Sequence, residues 1–425
     1  MSTFKSPRSI PSGCWAAVAA VGLAVGLLAC GGDDEKMAPV PSGGDRVPTR
    51  GGTDEPDAAV PVPVPQGANV LVDLSGETLC TYEDDDSMAF PASTGATGVS
   101  LAQNGGTMAL AYHDDIGERA FRLLSLSGAA EPGVREEGSE GSSGVRIVAV
   151  DDGFALSFWR EGELHVERVD LEGESVEAPA PLDTSPSGRT TSMLAANGSI
   201  HLTVQGDDGL TLAQYPHDDP ADVSYRDLLV DSDPVQHAAL ALLRESVWLA
   251  WSSGDTLSMH ALEDDEPVVL ADTVSGAFDI ASGEESGAVA YSYRVEDAEL
   301  VRYRPFGLDG DVMLEPRSVQ HPPAVLRDVA IVPFGRGYAL SYRSLTSRDF
   351  PHNAIRIAFM TATGEIVYEG EVTPTSRAGG PTDLVATDDG HVVLAWSDTD
   401  DNHAHLQRLD CPVALRLCNA EMVEE

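Results

Sequence analysis

Lysine is nearly absent from this chain: Lys5 and Lys36 are the only two in 425 residues. A phosphate-cradling P-loop, a Schiff-base enzyme and a Ser-Lys dyad each need a lysine in the folded body, so all three are excluded. The sequence also has no G-x-S-x-G, H-E-x-x-H or C-x-x-C. Positive charge of any kind is scarce, with 26 Lys+Arg against 69 Asp+Glu and a formal net charge of -43. Neutralising a nucleic-acid backbone takes clustered cations, so nucleic acid is excluded as a partner. The same charge opposes adsorption of the body to anionic lipid and favours solubility through self-repulsion.

What is present begins with an address. Lys5 and Arg8 form a short positive segment, and Trp15 to Leu28 reads WAAVAAVGLAVGLL. At about 14 residues this run is too short to span a bilayer, as expected of a signal peptide. It ends in Leu27-Leu28-Ala29-Cys30-Gly31-Gly32. That segment resembles the lipobox of bacterial lipoproteins, with Leu28 where Ala or Ser is more usual. The resemblance implies cleavage before Cys30 and acylation of Cys30, and several acyl chains on one cysteine suffice for stable anchoring. Gly31 rather than Asp after the cysteine resembles sorting to the outer membrane rather than the inner. The composition, the GGDDE segment and the scarcity of lysine are similar to lipoproteins of high-GC δ-proteobacteria such as myxobacteria. Residues 30–67 are rich in Pro, Gly and Asp without apolar periodicity. They read as a tether with a root-mean-square reach of roughly 35 Å as a flexible coil. Residues 68–418 then form the folded body, followed by a short tail, 419–425.

The body repeats. A short strand recurs as Ala109-Leu110-Ala111-Tyr112, Ala155-Leu156-Ser157-Phe158, His201-Leu202-Thr203-Val204 and Trp248-Leu249-Ala250-Trp251. Three more copies are Ala288-Val289-Ala290-Tyr291, Ala339-Leu340-Ser341-Tyr342 and Val393-Leu394-Ala395-Trp396. The spacing runs from about 40 to about 54 residues, close to the period of a four-stranded propeller blade. An apolar strand precedes each copy, and Asn104-Gly105, Asp152-Gly153, Asn197-Gly198 and Asp389-Gly390 mark hairpin turns between the two. Asn-Gly and Asp-Gly tolerate the positive φ of a type I′ turn. The first two strands are small and apolar, as befits an axis covered on both faces, and later strands are more polar. These features predict an all-β, seven-bladed β-propeller, with six or eight blades as alternatives. The segments 69–74 and 77–82 precede the first unit, so an N-terminal strand is expected to complete the last blade.

With Cys14 removed and Cys30 acylated, Cys80, Cys411 and Cys418 remain. In an oxidising compartment one disulfide is expected, Cys80–Cys411 or Cys80–Cys418 rather than the local Cys411–Cys418 pair.

Candidate site residues come from the loops after the second strands, which are repeatedly acidic: Asp114, Asp115, Asp207, Asp208, Asp255, Glu296, Asp297, Asp349, Asp398, Asp400 and Asp401. Equivalent loops of a propeller share one face, so these carboxylates are expected to crown one mouth of the channel, ready for Ca²⁺ or a basic partner. Asp398-Thr-Asp400-Asp-Asn402 has the D-x-D-x-N spacing of a calcium loop, but His403 replaces the glycine and no bidentate Glu follows. His403 and His405 share a strand face as a metal pair would, and Trp159, Trp248, Trp251 and Trp396 are expected to pack between blades. The S-x-D-x-G-x-T-W boxes of sialidase propellers and the A-x-D-x-x-T-G-x-x-x-W repeat of quinone-type propellers are missing. No catalytic or cofactor residue is assigned, and Ca²⁺ is the one cofactor weighed. The expected function is a membrane-tethered, monomeric binding or scaffold module for a protein, peptide or glycan. The alternative is a polysaccharide hydrolase or lyase using carboxylates at the channel mouth.

Overall fold

The computed structural model describes residues 69–411, except for 73–77, 83–86, 92–97, 114–118, 126–133, 136–142, 161–162, 182–187, 207–208, 218–221, 229–234, 264–265, 296–297, 311–313, 325–327, 346–352, 373–377, 388–389 and 399–402. Cys30 and the tether therefore lie outside the described residues.

Three strands open the body: β1 (Asn69–Val72), β2 (Thr78–Tyr82) and β3 (Ser87–Pro91). Six four-stranded antiparallel sheets follow in sequence. The first blade holds β4 (Val99–Asn104), β5 (Thr107–His113), β6 (Arg119–Ser125) and β7 (Val134–Arg135). The second holds β8 (Ser143–Val150), β9 (Gly153–Arg160), β10 (Glu163–Asp170) and β11 (Ser175–Pro181). The third holds β12 (Gly188–Ala196), β13 (Ser199–Gly206), β14 (Gly209–Pro216) and β15 (Ser224–Leu228). The fourth holds β16 (Val235–Leu243), β17 (Ser246–Ser253), β18 (Thr256–Ala261) and β19 (Val268–Ala271). The fifth holds β20 (Val274–Ser282), β21 (Ser286–Val295), β22 (Ala298–Gly307) and β23 (Arg317–Ala324). The sixth holds β24 (Val329–Phe334), β25 (Gly337–Leu345), β26 (Asn353–Thr361) and β27 (Ile366–Glu371). The last blade is built from β28 (Ala378–Ala386), β29 (His391–Asp398) and β30 (His403–Asp410).

The start of the chain finishes that last blade. β3 pairs with β30 from Ser87↔Gln407 to Pro91↔His403, β2 joins β30 at Thr81↔Asp410, and β1 pairs with β2. A disulfide fastens the join: Cys80 and Cys411 are both buried, with Cα atoms 4.1 Å apart across a sequence separation of 331. First strands of successive blades touch in the cyclic order β4, β8, β12, β16, β20, β24, β28 and back to β4. The chain is thus a closed seven-bladed β-propeller, in which each blade keeps its outermost strand as a sheet edge at the rim of the ring.

The core consists of seams between blades. Seven apolar clusters occur among the described residues, and each joins one blade to the next. Tyr112 and Leu406 meet in the seam between the last and first blades, and Trp159 and Leu202 in that between the second and third. A single blade has two apolar faces and nothing to cover them, so stability comes from stacking around the ring. Trp159, Trp248, Trp251 and Trp396 are all buried in these seams.

The first-to-second-strand turns lie on one face of the ring, here the turn face. The first strands start on the opposite, entry face, where the second strands also end. Asn197 (φ 53) and Gly198 (φ 70) form the expected positive-φ hairpin. At Asp152-Gly153 the turn falls one residue earlier, and Gly153 opens β9. A Cβ there would lie 2.0 Å from the Val169 carbonyl oxygen, so this glycine serves close strand approach instead of turn geometry.

Candidate functional site

The register explains the third residue of the repeated motif. Ala111, Ser157, Thr203, Ala250, Ala290, Ser341 and Ala395 are each 0 % exposed. Each pairs directly with a residue of its own blade's first strand: Ser100, Arg146, Ser192, Ala239, Asp279, Ala330 and Asp383 respectively. Directly paired residues share a sheet face. The small third residue leaves room beside that first-strand side chain for the neighbouring blade's first strand. The next residue along is aliphatic in every blade: Leu101, Ile147, Met193, Leu240, Ile280, Ile331 and Leu384. It turns to the other face and packs into the seams.

Four members of this first-strand ring staple one blade to the next. Ser100 Oγ accepts the Ile147 N–H at 3.2 Å, and Ser192 Oγ accepts the Leu240 N–H at 3.0 Å. Asp279 Oδ2 accepts the Ile331 N–H at 3.0 Å, and Asp383 Oδ2 accepts the Leu101 N–H at 2.7 Å across the closing seam. Each aspartate uses its other oxygen within its own strand, on Ile280 N–H at 2.9 Å and Leu384 N–H at 2.8 Å. The stapling residues sit in the first, third, fifth and last blades. Arg146, Ala239 and Ala330, which offer no acceptor, stand between them.

These side chains line the wall of a central cavity of about 280 Å³ built from all seven first strands. Arg146, Thr191, His237, Asp328 and Thr382 complete its polar lining, and Ile147, Met193 and Phe278 contribute apolar surface. The first strands are irregular at this level. Register shifts fall between Ser143 and Arg146, Thr190 and Ser192, Val235 and His237, Val274 and Phe278, and Ala378 and Thr382. β4 and β24 simply begin here, at Val99↔Tyr112 and Val329↔Tyr342. Bulges re-aim side chains and end regular pairing, and here they frame the cavity beneath the entry face.

The electrostatics are unusual for so acidic a chain. Burial pushes the Asp279 carboxyl up to about 7. The two N–H donors and Arg146 oppose that rise, and the like charge of Asp383 adds to it. Asp383 is also raised by burial, against the N–H groups of Leu101 and Leu384, Arg146 and the Ser100 hydroxyl. Asp279 and Asp383 are half-buried residues that line the cavity wall. At the rim, Asp328 pairs with Arg343 at 3.0 Å.

The residues singled out in the sequence fall differently. Asp255 is exposed in the turn after β17, its carbonyl accepting the Val274 N–H at 2.8 Å. Asp398 ends β29 on the entry face, and its side chain lies outside the described residues. Asp114, Asp115, Asp207, Asp208, Asp297, Asp349 and Asp400 also lie outside them. The second and third strands flanking each of these segments do meet the entry face. His405 stacks on Trp396, with centroids 5.2 Å apart and planes at 11°, and is 6.1 Å from the His403 ring. Among the described residues no three His, Cys, Asp or Glu side chains converge as metal ligands. Sequence reasoning missed the first-strand ring. Its available signal was a charged residue inside an otherwise apolar strand, at Arg146, Asp279 and Asp383.

No family model matches the chain, and no curated protein matches it. Solved structures with a similar fold include AofleA from Arthrobotrys oligospora, at 10% identity and TM-score 0.46 over 72% of this chain and 93% of that one. The WD40 domain of SCAP from fission yeast is 11% identical, with TM-score 0.45 over 78% of this chain and 100% of that one. The WD40 domain of Toxoplasma gondii coronin is 12% identical, with TM-score 0.48 over 81% of this chain and 89% of that one. These likenesses carry no functional argument, and the fold rests on the chain's own strand pairing.

Proposed function

We propose that this chain is a lipid-anchored protein of the cell envelope whose propeller is a binding or scaffold module, holding a protein, peptide or glycan against its entry face. The observation that carries the reading is topological. Every second-to-third-strand connection joins strands that meet that face, and the sequence places acidic residues in most of these connections. A closed ring held by seven apolar seams is a rigid support for such loops, and loops on a rigid support are the usual carriers of recognition. The lipobox at Cys30 supports the anchor, and the acidic tether supports a body standing clear of the bilayer. A partner with basic patches, or a glycan binding through bridging cations, fits the charge.

Two measurements test this. Cys30→Ser should move the mature chain from the membrane to the soluble fraction, and a variant still retained in the membrane would remove the anchor. Pull-down from native envelopes should capture a partner with the wild-type chain and lose it when Asp114, Asp207, Asp255 and Asp398 are changed together to Ser. Capture of the same proteins and glycans by both forms would sink the acidic-face reading.

A further inference from the structure

We infer that the central cavity binds a small zwitterion of the α-amino-acid type, its carboxylate held by the Arg146 guanidinium and its ammonium by Asp279 and Asp383. This site lies beneath the entry face and is lined by first-strand residues, not by the entry-face loops.

The first observation is the state of Arg146. Other enclosed guanidinium groups have partners. Arg168 meets Asp152 at 2.7 Å, Arg343 meets Asp328 at 3.0 Å and Arg356 meets Glu371 at 3.3 Å. Arg302 lies 3.7 Å from the centre of the Tyr293 ring. Arg146 has one hydrogen bond among the described residues, from Nη1 to the carbonyl of adjacent Val145, and it is long at 3.4 Å. In a chain with 69 acidic and 26 basic residues, a guanidinium lining a cavity without a carboxylate contact has kept its donors for something else. Arginine's fixed fork of donors suits a carboxylate in particular.

The second observation is the pair of carboxyls on the same wall. Each oxygen of Asp279 and Asp383 accepts one backbone N–H, and Asp383 also takes the Ser100 hydroxyl; an ionised carboxylate offers about four acceptor positions, so each retains capacity for a further donor. Arg146 is close enough to both to act on their charge, and the charge of Asp383 acts on Asp279. A bare cation would meet the repulsion of Arg146, and a bare anion that of two carboxylates. A ligand carrying both signs complements all three groups, which is how a concave site with few, convergent polar groups selects its occupant.

Size agrees. The cavity of about 280 Å³ corresponds to roughly nine waters of liquid volume, room for an amino acid with a modest side chain. The hydroxyls of Thr191 and Thr382 and the apolar Met193 and Phe278 supply mixed walls for that side chain.

An ammonium beside Asp279 would also stabilise its ionised form, so binding near pH 6.5 should expel a proton. That provides a readout separate from affinity. The test is isothermal titration calorimetry on the full chain in detergent, with glycine, L-serine and L-glutamine as probes. Acetate and methylamine serve as single-charge controls. The expected result is saturable binding of at least one amino acid at about 1 mM or tighter. Its heat should change with the ionisation enthalpy of the buffer, and neither control should bind at that concentration. Arg146→Met should weaken binding at least tenfold, and Arg146→Gln serves if the Met variant does not fold. Asp309→Asn, at an exposed carboxylate outside both the cavity and the acidic loops, should leave binding unchanged. The inference is overturned if none of the three probes binds, if acetate or methylamine binds as well as the amino acids, or if a folded Arg146 variant binds like wild type. Loss of the envelope partner by the acidic-face variant with amino-acid binding intact would separate the two sites.

Discussion

Replacing Asp279 by Asn isolates the most perturbed acid of the ring, because Asn keeps the shape and cannot ionise. In the unfolded chain the Asp279 carboxyl has its ordinary value of 3.8, and in the folded ring it is pushed up to about 7. The folded state therefore holds the proton more tightly. The stability this brings is fully present below the ordinary value and is lost as pH rises to about 7. About three pH units of separation, at about 1.4 kcal/mol each, set a ceiling of roughly 4 kcal/mol. The carboxyl faces a cavity that admits water, so the expected change is roughly 2–4 kcal/mol. Asn also keeps only one acceptor oxygen for the Ile280 and Ile331 N–H groups, which costs a further 1–3 kcal/mol or so at every pH. The assay is urea unfolding of both proteins from about pH 4 to about pH 8, read as their difference. Titration of the many other acids cancels in that difference. Wild type should lose its advantage as pH rises, with most of the change between about pH 4 and pH 7. A difference that stays flat across the range would refute the reasoning. It would mean that the two N–H donors and Arg146 outweigh burial and keep Asp279 ionised throughout.

Three further outcomes are expected. Ser192→Ala should cost about 1–3 kcal/mol in urea unfolding, because the Leu240 N–H loses its acceptor in the seam; a change within error would show that water replaces the hydroxyl. Gly153→Ala should cost about 3 kcal/mol, the upper end of overpacking, since its Cβ would lie 2.0 Å from a backbone oxygen, whereas Gly105→Ala meets nothing within 4 Å and should cost about 1 kcal/mol from its positive φ; equal melting points for the two variants would contradict the strand-approach account. Changing Cys80 and Cys411 together to Ser should remove about 5 kcal/mol, given the length of chain the bond encloses, and the variant should melt like wild type held in reductant.

The ring was legible in the sequence because its packing rule has a period. A blade's second strand must offer a small side chain wherever the neighbouring blade's first strand crosses it, and Ala111, Ser157 and Ala395 record that rule in recognisable copies. That an N-terminal strand completes the last blade was legible too, since strands were left over at one end and missing at the other, but the strand that pairs along β30 is β3, whereas the expected segment 77–82 meets β30 only at Thr81↔Asp410. The stapling ring was not. Ser100, Ser192, Asp279 and Asp383 do one job with two chemistries, while Ala239 and Ala330 at the same level do none of it. Only the register shows that they are equivalent. The bulges that open the cavity were hidden for a related reason: a register shift lies in the relation between two strands and leaves no fixed residue type behind. The acidic loops were conspicuous by composition, but composition says only which end of the strands they leave.

Because β3 forms an edge of the sheet that β30 belongs to, the earliest-made part of the body waits for the latest. From the moment residue 91 is made until β30 exists, β3 has no strand partner, though Phe90 can already pack on Tyr112, and it presents open backbone groups to whatever is near. A chain halted anywhere before β30 leaves β3 and β2 without the strand they join. The bond between Cys80 and Cys411 can form only in a molecule whose synthesis has run to the end of the ring, so its oxidation serves as a chemical receipt for a completed ring.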